Sequence, residues 1–380
     1  MVARREARAA TTPMRVAVIG AGAFGGWTAL HLRNAGADVT LVDAWGPGNS
    51  RASSGGETRV IRAIYGPDRV YVEMVKRSFE LWSAIREPIY TETGVLWMHR
   101  GDDSYVRSSL PVLTELGFAV DHLSIAEAKK RYPQIDFRGV KSVWFERRGG
   151  ALSARRACEV VRDAFVQAGG MYRVERVNGL KDAKRFNADA VVFACGPWLG
   201  KLFPEVIGDR VRPTRQEVYY FGPPAGSDRW APPRMPIWID FGPHIIYGLP
   251  DLHGRGFKVA DDTRGPVFDP STGNRTPTAA GIARARQLLS ERFPELANAP
   301  LVSAEVCQYE NSPDGNLIID RHPAANNVWI AGGGSGHGFK LSPAVGELVA
   351  QAIVSGKQIP ETFRLARLEA LEKRKTQFEK

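Results

Sequence analysis

Short apolar runs broken by glycine-rich turns recur at the start, middle and end of the chain. Val16 to Ile19 is apolar, "GAGAFGG" follows, residues 27–34 carry apolar positions at helical spacing as far as Gly36, and "DVTLVD" is a further apolar run. Strand, glycine turn, helix and strand within about 30 residues predict a βαβ unit and a parallel sheet with buried strands. In the middle, "ALSARRACEVVRDAFVQAGG" has helical periodicity and "ADAVVFACG" reads as a buried strand reaching a turn. Near the end, "NNVWIAGGGSGHG" runs strand into glycine loop, and "SPAVGELVAQAIVSG" predicts a helix with Ser342 as N-cap and Pro343 at its first position. Three such units predict one sheet assembled from dispersed segments.

The stretches between them differ. "GVLWMHRGDDSYV" with its sequel to "VWFE", and "RPTRQEVYYFGPPAG" through "AEVCQYE", are rich in aromatic and β-branched residues and broken by Pro and Gly, which favours antiparallel strands. The expectation is an α/β chain. Its Rossmann-like domain would be built from 14–94, 148–212 and 312–365, and its second, mainly antiparallel-sheet (α+β) domain from 95–147 and 213–311. Residues 1–13 read as a mobile tail, and 366–380 as a solvated helix or frayed tail.

A length of 380 residues suits two domains. The 51 basic and 41 acidic residues give +10, with both signs mixed along the chain, and no nucleic-acid-binding signature or zinc-ligand spacing is present. The longest charge-free run, Val16 to Leu32, is short of the ~20 residues a bilayer requires and is interrupted by glycines. Cys158, Cys195 and Cys307 are odd in number and far apart, which argues against a disulfide framework and for a reducing, cytoplasmic setting. The reading is a monomer with a small-molecule substrate, and no metal, nucleic-acid or membrane partner.

Gly20, Gly22 and Gly25 form GxGxxG between strand and helix, beside Ala23 and Phe24, and Asp43 ends the next strand. Each part has a task in holding a dinucleotide: a tight turn, close approach of backbone to a pyrophosphate at the helix N-terminus, and a carboxylate for ribose hydroxyls. This does not separate NAD from FAD. The next stretch, "NSRASSGGETRVIRAIYG", with "CQYENSPDGNLIIDRHP" and "GGGSGHGFKLSPAVGEL", resembles the monomeric sarcosine oxidase and N-methyltryptophan oxidase family of D-amino-acid-oxidase-like flavoproteins, over residues 14 to about 364. The family's acid, Thr-Arg-x-x-Arg and Tyr-Gly stand here as Glu57, Thr58, Arg59, Arg62, Tyr65 and Gly66.

The resemblance implies FAD. Its contacts would come from Ser54, Gly56 and Thr58 in the small-residue run, Cys195, Gly196 and Trp198 in the middle turn, and Gly334, Gly336, Gly338 and Phe339 in the late loop. His337 reads as either a flavin contact or a packed loop residue. Cys307, by residue type a buried apolar side chain or a free thiol, matches the family cysteine that bonds to a methyl carbon of the flavin ring. Arg62 and Lys340 match positions that bind a substrate carboxylate, Arg59 a flavin-proximal cation, and Lys258 the lysine that assists oxygen. Tyr247 and Tyr309 match aromatic pocket residues.

Two departures stand out. Asp262 replaces the family's active-site histidine four residues after the lysine, which would repel a second substrate carboxylate and attract an amine or polar group. Glu310 and Asn311 replace small hydroxyl residues. The resemblance implies an amine oxidase that converts an N-methyl or cyclic α-amino acid to an imine and O2 to H2O2. The alternatives are a dehydrogenase handing electrons to a quinone or protein, a flavin-bearing subunit without turnover, and an NAD enzyme.

Overall fold

The computed structural model describes residues 12–370, 375, 376 and 378. The tail expected over 1–13 falls mostly outside them. Arg15–Ile19, Ala190–Phe193 and Ala325–Gly332, the strands that lead into the three glycine turns, lie side by side in a six-stranded sheet. Its order is Ile318–His322, Ala325–Gly332, Ala190–Phe193, Arg15–Ile19, Asp38–Asp43, Met171–Val174, parallel except for the first pair. Register is tight at the centre, where Val18 faces Leu41 on one side and Val192 on the other. All three turns therefore open at the carboxyl ends of adjacent parallel strands, where open α/β sheets bind ligands.

The Ala23–Asn34 helix rises from the first turn and packs on Ala154–Gln167 and Ser342–Ser355. The crossing with Ser342–Ser355 is close: a Cβ on Gly346 would lie 2.6 Å from the Trp27 carbonyl carbon. The late helix begins one residue earlier than the sequence pattern predicts. Leu341 is its N-cap, and Ser342 is a helical residue whose hydroxyl is buried without a partner, because the preceding turn of 3₁₀ helix already supplies the lead-in. "ALS" belongs to a strand, Gly150–Ser153, rather than to the helix that follows it.

An eight-stranded sheet carries the aromatic stretches, in the order Leu301–Asn311, Arg212–Phe221, Phe257–Asp261, Ile245–Leu249, Ile237–Phe241, Val95–His99, Ser142–Glu146, Val120–Leu123. Neighbours are antiparallel, with one exception: Ile237–Phe241 runs parallel to Val95–His99. The expectation of strands throughout 95–147 also misses helices at Ser104–Glu115 and Ile125–Arg131. A small third sheet, Thr58–Ile61, Gly150–Ser153 and Tyr90–Glu92, lies between the other two in the chain path. The chain is thus a mixed α/β protein, a Rossmann-like domain of dispersed segments with a second sheet domain.

The Ala279–Arg292 helix is pinned to this sheet by charge. Arg292 and Asp240 are each 4% exposed; Arg292 Nε and the nearer terminal nitrogen donate to one Asp240 oxygen at 2.9 and 2.8 Å, and Arg100 donates from the rim at 2.6 Å. Removing one member of a buried pair leaves an uncompensated charge. Asp240→Ala is expected to lower the unfolding free energy by about 3–5 kcal/mol, read from the urea midpoint.

Candidate active site

The three turns converge on one elongated cleft. It is lined by Gly20, Gly22, Ala23 and Phe24 from the first, Cys195, Gly196 and Trp198 from the second, and Gly334, Gly336, Gly338 and Phe339 from the third. Glycine is required by the geometry: Gly20 has φ of +104°, a Cβ on Gly25 would overlap the Gly20 carbonyl, and one on Gly338 would lie 2.8 Å from both the Gly334 Cα and the Phe24 ring. Asp43 lines the same cleft; its carboxylate accepts from the Ala21, Trp45 and Gly46 amides, each at 2.8 Å, which fixes its orientation.

Ser54 also lines the cleft, whereas Gly56 and Thr58 stand behind it. Gly56 makes room for Arg59, whose Nη1 would be 2.8 Å from a Cβ there. Thr58 holds Lys258, accepting from the ammonium through its carbonyl oxygen at 3.1 Å and its hydroxyl at 3.3 Å. The sequence pattern does not single out the far end of the cleft, formed by Trp45, Asn49, Glu175, Val177 and Asn178. These residues follow strand ends without any motif, so only the fold brings them there.

At the other end a second, smaller cavity adjoins. It shares Arg59, Tyr309, Gly336 and Phe339 with the cleft and adds Arg62, Lys340, Asp262, Tyr247, Ile239, Ile245 and Phe378. Arg62 and Lys340 are both buried. Arg62 donates to the Ile64 carbonyl and lies over the rings of Tyr65, Trp97 and Phe378 at 4.8, 5.2 and 5.4 Å. Burial lowers its basicity, but Tyr105, Tyr65 and the buried Glu146 outweigh that and raise it. Lys340 donates to the His337 carbonyl at 3.0 Å; burial and then Arg62 push its pKa well down, with Asp262 and Glu146 opposing. A bound carboxylate would pair with the Arg62 guanidinium and favour the charged form of Lys340.

Asp262 faces these cations, already engaged. It accepts from the Tyr309 hydroxyl at 2.9 Å and is ion-paired with Arg264 at 3.5 Å, while burial raises its pKa against those partners. His337 lines the same cavity and has both ring nitrogens committed inside the protein, to Tyr65 at 3.0 Å and the Gly315 carbonyl at 2.8 Å. Phe378 is a surprise: a position expected in a solvated tail packs edge-on against Tyr105 and Phe241 and covers Arg62. The other C-terminal positions at 371–374, 377 and 379–380 lie outside the described residues.

Cys307 is half-buried on the Leu301–Asn311 strand, two residues from Tyr309 and so on the same strand face. Its sulfur lies 3.4 Å from an Arg59 terminal nitrogen. Arg59 is locked by the Thr58 and Ser53 carbonyls at 2.7 and 2.6 Å, which sets a fixed cation between the sulfur and the cleft. Lys258, 1% exposed, has its pKa lowered to about 7, first by burial and then by Arg59.

The family model for FAD dependent oxidoreductases matches residues 15–352. The chain belongs to this FAD-dependent oxidoreductase family. It is 33% identical to the monomeric sarcosine oxidase of Bacillus sp. (strain B-0618), over 91% of this chain and 94% of that one. It is 28% identical to the N-methyl-L-tryptophan oxidase of Salmonella arizonae, over 88% and 92%. Among solved structures, L-proline dehydrogenase from P. horikoshii superposes with a TM-score of 0.81 at 23% identity, covering 95% of this chain and 99% of that one, a likeness of fold. The cleft fits the family's cofactor: glycine backbones for a pyrophosphate, an oriented Asp43, and a cation-rich end beside Arg59. No helix among the described residues is long and apolar enough to cross a membrane, and no His, Cys, Asp and Glu group suited to a metal occurs among them.

Proposed function

We propose that this FAD-dependent oxidoreductase oxidises the C–N bond of an N-substituted α-amino acid, N-methyl or cyclic, to the imine, with O2 reduced to H2O2. The observation that carries the reading is the pair of buried cations, Arg62 and Lys340, in a cavity that shares Arg59, Tyr309, Gly336 and Phe339 with the dinucleotide cleft. Bound FAD would take a hydride from the carbon beside nitrogen and return the electrons to oxygen. It would be held by the three glycine turns, Asp43 and Ser54, with Cys307 as its covalent tether.

The chain's own residues bind and orient. Arg62 offers a planar fork to the substrate carboxylate, Lys340 adds a point charge, and the aromatic rings around Arg62 keep water from competing. Tyr247, Ile239, Ile245 and Phe378 wall the pocket. Asp262, held by Tyr309 and Arg264, presents an acceptor to the substrate N–H or to a polar side chain, and disfavours a second carboxylate. Lys258 holds positive charge where oxygen would become anionic. The relatives' printed activities support the class of reaction, the first relative's name, monomeric sarcosine oxidase, supports a monomer, and three unpaired cysteines support a reducing cytoplasmic setting.

A panel of N-methyl and cyclic amino acids is expected to yield H2O2 with at least one member; turnover only with an artificial acceptor would instead favour a dehydrogenase. In rapid-mixing experiments the reduced enzyme should react more slowly with O2 as pH rises through about 7, because Lys258 is charged below that value and neutral above it. Lys258→Met should be slower by roughly 10²-fold or more and independent of pH over that range. Acid precipitation should leave the yellow colour with the protein, and Cys307→Ala should release it to the supernatant.

A further inference from the structure

Glu310 is a buried carboxyl that the reaction above does not use. It is 8% exposed, follows Tyr309 on the Leu301–Asn311 strand and lines the dinucleotide cleft. One oxygen, Oε1, accepts from the Gly334 amide at 3.1 Å; the other, Oε2, has no partner among the described residues. The group is wedged between two of the three glycine turns: a Cβ on Gly334 would lie 2.9 Å from Oε1, and one on Gly196 3.2 Å from Oε2. A buried polar oxygen without a partner costs free energy, which a ligand reaching it would recover.

Among the described residues no positive charge faces it. From the middle turn the titratable neighbour is Cys195, whose thiol donates to the Ile19 carbonyl and is itself pushed up by burial, Asp43 and Glu310. From the late loop it is His337, committed to Tyr65 and Gly315; on its own strand Tyr309 donates to Asp262, and Cys307 leaves by the opposite face. On the paired strand Pro213 stands opposite, and neighbouring Arg212 is ion-paired with Asp209.

We propose that Glu310 is a cofactor-binding residue acting as a neutral acid, its Oε2 donating a proton to an oxygen of the dinucleotide's sugar–phosphate chain while Oε1 accepts from Gly334. An ionised carboxylate there could serve only the ligand's hydroxyls and would repel its two phosphate charges, whereas the acid can donate to its oxygens. Burial, opposed only by the Gly334 amide, raises the carboxyl to about 7, so the donor form is within reach at neutral pH. Binding and protonation are then linked. Below about pH 7 Glu310 is already protonated and FAD affinity is constant; above it each bound FAD takes up a proton, and Kd rises towards tenfold per pH unit.

The test uses the full chain with Cys307→Ala, so that a covalent bond cannot hide release, and FAD itself as the probe. Kd for FAD is measured by fluorescence titration of apoprotein from pH 5.5 to 9, with circular dichroism confirming that each variant is folded. With Glu310 present, Kd should rise about tenfold per unit above pH 7. Glu310→Gln, whose amide keeps both the donor and the acceptor, should bind tightly with no slope. Glu310→Met, which keeps the length but removes the donor, should bind at least tenfold more weakly at pH 6. Lys258 titrates in the same range, so the slope must survive Lys258→Met. A flat profile with Glu310 present, or an unchanged slope in Glu310→Gln, would overturn the proposal. If the Cys307→Ala apoprotein is unfolded, the flavin absorbance of the otherwise unaltered holoenzyme is titrated instead: a transition displaced well above pH 7 by the bound cofactor and absent in Glu310→Gln supports the proposal, and a transition that persists in Glu310→Gln refutes it. The outcome does not depend on which amine is oxidised.

Discussion

Four cations, Arg59, Arg62, Lys258 and Lys340, lie inside the protein where the glycine cleft meets the eight-stranded sheet. Taking a cation out of water costs several kcal/mol unless the surroundings replace the lost solvation. Here the replacement is incomplete. Arg59 and Arg62 have carbonyl partners and aromatic faces; Glu146 and Asp262 supply negative charge, but Asp262 is shared with Arg264 and Tyr309. Lys258 and Lys340 respond by losing basicity. What the protein withholds from these groups, an anionic ligand can provide.

The two sheets divide the work that this deficit requires. The parallel sheet sets three glycine turns at neighbouring strand ends, which brings backbone amides to one line and a dinucleotide along it. The antiparallel sheet supplies rigid side chains from alternating strand positions: Lys258 from one strand, Cys307 and Tyr309 from another, Tyr247 from a third. Lys340, in the turn before the Ser342–Ser355 helix, comes from the dinucleotide side, as do Arg59 and Arg62, on the short strand Thr58–Ile61 and just after it. Their segment follows the cleft and ends in the pocket, so one stretch of chain touches both.

Much of this was legible in the amino-acid pattern because it is local. A strand, a glycine turn and a helix occupy consecutive residues, and the Thr-Arg-x-x-Arg run carries its chemistry on its face. The misreadings are non-local. The Ser104–Glu115 helix contains Pro111 and sits among aromatic strand residues, so composition pointed to strands. The parallel pairing of Ile237–Phe241 with Val95–His99 joins segments far apart in sequence, and no pattern within either announces it. Phe378 reaches the pocket through tertiary packing on Tyr105 and Phe241, and Glu310, which the sequence marks only as a departure from the family's small hydroxyl residue, gains its place in the cleft through burial against Gly334 and Gly196.

The central claim is that Arg62 and Lys340 form a carboxylate receptor beside the flavin. The most direct measurement is a titration of the oxidised holoenzyme, followed by flavin absorbance, with a small monocarboxylate lacking an oxidisable amine and with its neutral amide. The account predicts a saturable spectral change with the carboxylate, absent with the amide and weakened roughly 10²-fold in Arg62→Met. Equal responses to carboxylate and amide, or an unchanged affinity in Arg62→Met, would contradict it.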